Sequence, residues 1–107
     1  MAKDNVLQLR YLGVIPQSEY LEYGFRIEDK EKKVRIVVLT IESGFFKRND
    51  LMVQEAPDLC YQKILVELER ETAELPISER SSISASDIAG YRDRHPTTKV
   101  RKLGTRK

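Results

Sequence analysis

Arg26 and Arg35 are the first residues whose types and spacing suggest chemistry. They lie on two runs that read as paired strands, and pairing would set both guanidinium groups on the outer face of one hairpin. Opposed like charges cost stability unless something offsets them. Two arginine forks offset each other by sharing a phosphate through charge-assisted bonds, and Lys33 and Lys47-Arg48 would extend the patch. Local pairing with Glu22, Glu28 or Glu42 is the plainer explanation. A second cationic group lies at the C-terminal end: Arg92, Arg94, Lys99, Arg101, Lys102, Arg106 and Lys107, with Tyr91 beside the first of them. A cationic arm tracks a phosphate backbone by releasing condensed counterions, and Tyr91 would add stacking on a base. These residues predict contact with nucleic acid. The alternative is a solvated terminus, or an arm docked on an acidic body.

Other constellations are missing. His95 is the only histidine and has no cysteine pair or acidic cluster near it, so the sequence predicts no metal site. Cys60 is the only cysteine, which excludes a disulfide scaffold and fits a reducing cytoplasm. Cys60 reads as a buried, inert thiol. There is no glycine-rich phosphate loop, nucleophile elbow or HExxH. The expectation is a non-catalytic protein without cofactor. No apolar leader follows Met1 and no run approaches ~20 apolar residues, so neither export nor a membrane partner is expected.

The charges are unevenly spread. Of the 107 residues, 34% are charged and 40% hydrophobic, with a formal net charge of +2. Residues 1–75 hold 11 basic and 14 acidic side chains, whereas residues 76–107 hold 8 and 3. After Pro76 the chain turns Ser-rich and then basic. This predicts a domain over 1–76 and a tail over 77–107, flexible or partly docked.

The elements that must position these residues follow from periodicity. Residues 20–28 alternate, with Leu21, Tyr23, Phe25 and Ile27 on one side. Residues 34–41 are rich in β-branched side chains and read as the next strand. A two-residue turn centred on Lys30-Glu31 would fix the index sum of opposed residues at 61, pairing Phe25 with Ile36 and Tyr23 with Val38. An earlier strand over 6–12, with a loop at 13–18 centred on Pro16, would pair Leu7 with Phe25 and Leu9 with Tyr23. Residues 57–75 read as a helix with Pro57 in its first turn and Tyr61, Ile64, Leu65, Leu68, Thr72 and Leu75 in one apolar stripe. Residues 51–55 read as a fourth strand in preference to a helical turn, because Ala56 precedes a proline. Ser84 and Asp87 match a capping box for a short helix near 85–94, which Gly90 weakens.

The fold class is therefore α+β: a three- or four-stranded antiparallel meander packed on one helix, followed by a basic, largely disordered tail. In architecture alone this order resembles the sheet-plus-helix domains of some recombinases and double-stranded-RNA-binding proteins.

In this register Val37, Leu39 and Ile41 fall on the outer face, opposite Gly24, Glu22 and Tyr20. Three apolar residues on an uncovered face call for a cover. Either Ile77, Ile83 and Ile88 of the tail supply it, or a second copy or protein partner does. Phe45 and Phe46 cannot both face one side of an extended segment, so Phe46 joins this candidate interface. Two functions follow: a small non-catalytic binding module that contacts nucleic acid through its basic tail, or a protein-interaction or self-associating module that uses the apolar outer face.

Overall fold

The computed structural model describes residues 6–95. The α+β class holds. The elements run β1 (Val6–Pro16), β2 (Tyr20–Asp29), β3 (Val34–Glu42), α1 (Ser43–Lys47), α2 (Ala56–Arg70), β4 (Arg80–Ser82) and α3 (Ala85–Arg94). The first three strands form the expected antiparallel meander, and β4 adds to β3 in parallel, giving the order β1-β2-β3-β4. A parallel neighbour needs a crossover, and α2 lies in that connection. The fourth strand thus comes from the Ser-rich stretch. Residues 51–55 are not a strand: Leu51 is buried and Val53–Glu55 form a single 3-10 turn leading into α2.

The β2-β3 register is one residue away from the expected one. Phe25 pairs with Val37 and Tyr23 with Leu39, an index sum of 62. The cause is the turn. Lys32 donates its N–H to the Asp29 carbonyl and adopts φ 71°, and Asp29 N–H then bonds to the Lys33 carbonyl. This three-residue loop ends on a left-handed residue, a common hairpin connection. The Asp29 carboxylate holds it by accepting from the N–H groups of Glu31 and Lys33, both at 2.9 Å. A lysine gives no glycine-like signal for a left-handed position, so the two-residue reading looked equally good. The slip exchanges the two faces of β3. Val37, Leu39 and Ile41 enter the core, while Val34 and Ile36 are exposed.

β1 is longer than expected and turns later. Gln17 N–H bonds to the Tyr20 carbonyl, so the turn follows Pro16 and does not centre on it. Phe25 therefore pairs with Tyr11, and Leu9 with Ile27. A bulge between Tyr11 and Gly13, with Gly13 at φ 138°, absorbs one extra residue.

Helix α2 covers the inner face. Its buried side chains are Ala56, Leu59, Cys60, Ile64 and Leu68, so Leu59 belongs to the core side and Tyr61 lies at its margin. The helix ends at Arg70, short of the expected Leu75. Thr72 and Leu75 close a turn of their own through paired backbone bonds, aided by Leu75 N–H donating to Thr72 Oγ1 at 3.0 Å. Leu75 and Thr72 leave the stripe and are exposed. The capping box at Ser84 is present: Asp87 N–H donates to Ser84 Oγ at 3.0 Å, and Ser84 N–H to the Asp87 carboxylate at 2.9 Å. Ile83, Ile88 and Tyr91 complete the core, with Ile77 packed against it. The composition change at Pro76 thus does not mark the end of the packed unit.

Candidate functional site

Among the described residues the sheet has one covered and one bare face. On the bare face the registers place neighbouring residues in rows across β1, β2 and β3. Gln8, Glu28 and Val34 form one end, followed by Arg10, Arg26 and Ile36. Gly13, Gly24 and Val38 come next, with Leu12 bulged beside them. Ile15, Glu22 and Thr40 follow, and Tyr20 and Glu42 close the far end. The middle of this face is a shallow trough of about 310 Å³, with Gly24 between Leu12 and Ile15 on one side and Ile36 and Val38 on the other. Leu12 is 50%, Ile15 61% and Ile36 49% exposed. Uncovered apolar side chains in a contiguous group mark a contact surface more often than isolated ones do.

Gly24 is unusual for its place. It sits mid-way along an inner strand, where glycine is weakening because it has no side chain to pack. Its φ is not positive, unlike that of Gly13. A Cβ built on it would meet Leu12 Cβ at 3.9 Å and the Gly13 carbonyl at 4.0 Å, both ordinary contacts. The chain's own packing therefore does not demand a glycine there. Glycine within a strand marks a bulge or a close approach by another group. Gly24 lies opposite the Tyr11–Gly13 bulge of β1, and the space above it is open to another group.

The sequence-derived arginine clamp does not form. Arg26 lies on the bare face, bonded to Glu28 at 3.1 Å and directly opposite Arg10. Arg35 pairs with Ile27, on the covered face, and its guanidinium holds Glu71 at 2.5 Å. The one-residue slip thus puts the two arginines on opposite sides of the sheet. The like-charge opposition exists, but between Arg10 and Arg26. Burial alone would raise the Glu71 carboxyl; the Arg35 hydrogen bond and the Ile77 N–H outweigh it and hold it below its ordinary range.

Tyr91 and Arg92 join α3 to α2 and to the segment that leads into it. Tyr91 is buried, donates its hydroxyl to Asp58 at 2.8 Å and stacks on His95 with ring centroids 4.4 Å apart. Burial, with Asp58 adding to it, pushes the Tyr91 phenol up to about 12. Arg92 grips both oxygens of Glu55 at 2.7 Å and also donates to the carbonyls of Asp50 and His95. Gln62 Nε2 bonds to Asp58 at 3.0 Å and lies 3.3 Å from His95 Nε2. Tyr91 and Arg92 thus already have partners within the chain. Arg94 is exposed near the end of α3. Lys99, Arg101, Lys102, Arg106 and Lys107 lie outside the described residues.

The other candidates sort in the same way. Val37, Leu39 and Ile41 are core, packed in one cluster with Ile83 and Ile88, and so form no exposed interface. Phe46 is partly buried against that cluster, as is Phe45, which carries the Arg48 guanidinium 5.1 Å above its ring. Cys60 is buried, and burial raises its thiol to about 12, so it is protonated and unreactive at neutral pH. The buried Tyr23 hydroxyl has no hydrogen-bond partner among the described residues. Among the described residues no group of three His, Cys, Asp or Glu could hold a metal ion, and no helix is long and apolar enough to cross a membrane.

The residues that line the trough were not singled out from the sequence. Ile36 and Val38 were assigned to the core, and Leu12 to the end of a strand. The available signal was Gly24 itself, a glycine inside an otherwise regular alternation. No protein-family model, curated protein or solved structure matches this chain. The resemblance to recombinase and double-stranded-RNA-binding domains therefore rests on element order alone.

Proposed function

We propose that this chain is a non-catalytic protein-binding module whose contact surface is the bare face of its sheet, centred on the Gly24 trough. One observation carries this reading: Leu12, Ile15 and Ile36 are about half exposed or more around a glycine at which a Cβ would make only ordinary contacts. Burying such side chains on a partner releases roughly 25 cal/mol per Å² of apolar surface, and an empty position beside them accepts a protruding group. The nucleic-acid reading has less behind it. Of its candidates within the described residues, Arg26, Arg35, Tyr91 and Arg92 already have protein partners.

A displayed-peptide library selected on the immobilised full chain tests the proposal. Enriched peptides should bind the wild type and lose at least tenfold in affinity for Ile36→Lys. Selection of no binder, or of binders indifferent to Ile36→Lys, overturns it. Titration with duplex DNA at two salt concentrations covers the competing reading. Tight binding that weakens steeply with salt and ignores Ile36→Lys would favour the basic residues instead.

A further inference from the structure

The charges that border the trough narrow the choice of occupant. Arg10 stands at one end of the bare face and Glu42 at the other, and neither has an ion-pair partner among the described residues. Their surroundings carry the same signs. Arg10, Arg26 and Glu28 leave a positive surplus at the first end. Glu22 and Glu42, with Arg80 reaching Glu22 at 2.6 Å, leave a negative surplus at the second. Between them lies the apolar middle with the glycine trough. A surface that is basic at one end, acidic at the other and apolar between is complementary to itself once turned end for end. That is the requirement of an isologous two-fold contact, in which the same patch serves both subunits.

Resting on the proposed reading of this face, we infer that its occupant is a second copy of the chain. The two sheets stack face to face with antiparallel strands, and the two-fold axis crosses the trough. In this arrangement Leu12, Ile15, Ile36 and Val38 of the two copies interdigitate, as inner faces of stacked sheets do. Gly24 lies opposite its counterpart, and the absence of a side chain there lets the sheets approach without strain. Arg10 of each copy comes to the acidic end of the other. The helices α2 and α3 lie on the outer sides of the pair, because they cover the opposite faces. A heterologous protein would not need the two ends of one patch to be mutually complementary.

The test is the mass of the full chain by light scattering over a concentration series. The wild type should rise to the dimer mass. Gly24→Leu fills the trough from within the chain and should remain monomeric at concentrations at least tenfold higher, with an unchanged far-UV spectrum. If that variant loses its spectrum, Ile36→Lys gives the same reading from a side chain that starts out exposed. Arg10→Glu should weaken the dimer, and adding Glu42→Lys should restore part of the loss. A dimer that is indifferent to Gly24→Leu and Ile36→Lys overturns the inference, as does failure of the charge reversals to compensate. A wild type that stays monomeric throughout also overturns it. That last result leaves the protein-binding reading intact if selected peptides still depend on Ile36, and defeats both if they do not.

Discussion

The two faces of the sheet are built from the same strands and differ in what covers them. On the covered side, Tyr23, Phe25, Ile27, Val37, Leu39 and Ile41 are sealed by α2 and by Ile83, Ile88 and Tyr91. Its charged border is tied up within the chain, as Arg35 is by Glu71. On the bare side the same β2 and β3 carry Gly24, Ile36 and Val38, with Arg10 and Glu42 left unpaired among the described residues. Alternation gives each strand two sets of side chains, and a one-residue change in pairing decides which set becomes core. The contrast teaches that the surface open to a partner is whatever the turn register leaves outside. Here that register rests on Asp29 and Lys32.

The largest expected difference between the faces is in stability. Phe25→Ala removes a wholly buried ring and should lower the unfolding free energy by about 3–5 kcal/mol. Ile36→Ala, on the bare face of the neighbouring strand, should change it by about 0.5 kcal/mol or less. In the expected register Ile36 would lie in the core beside Phe25, so Ile36→Ala would then cost about 2–5 kcal/mol and the gap between the two urea melts would close.

Glu71 sharpens the comparison at the border of the covered face. Glu71→Gln should cost about 1.5–3 kcal/mol at neutral pH, the range for hydrogen bonds to charged groups. Its carboxyl titrates lower in the folded chain than in the unfolded one. Its contribution is therefore fully present above the ordinary carboxylate range, and is lost as pH falls through that range to the lower folded value. Acid titration of stability should show a shallower decline in Glu71→Gln than in the wild type. Identical acid limbs would mean that the Arg35–Glu71 pair is not held.

A smaller effect should come from the turn. Lys32 is left-handed without being glycine, a conformation that costs roughly 1–2 kcal/mol for an ordinary residue. Lys32→Gly should stabilise the fold by up to about 1 kcal/mol, less the entropy that glycine loses on folding. A thermal melt checks it, and destabilisation would argue against the three-residue loop.

Much of the architecture was legible. Period-two alternation exposed β2 and β3, the Ser84–Asp87 pattern located α3, and Pro57 marked the start of α2. Three features were not. The β2-β3 register turned on a single left-handed lysine that composition does not reveal. The full length of β1 was hidden by Gly13, which reads as a loop residue and serves as a bulge. The fourth strand was hidden in Arg80–Ser82, where polar residues pair through backbone bonds and offer no apolar pattern. The candidate surface was misplaced for the first of these reasons. The apolar residues assigned to it were the correct strand's, but from the wrong side.

Thiol labelling on β3 tests the central claim most directly. Single substitutions Ile36→Cys and Val37→Cys, each in a Cys60→Ala background, place a reporter on adjacent positions that face opposite sides. The account predicts rapid reaction at position 36 with a small maleimide under dilute conditions, and protection at position 37 until the chain is unfolded. Protection at 36 with rapid reaction at 37 would contradict it, and would return Val37, Leu39 and Ile41 to the outside of the sheet.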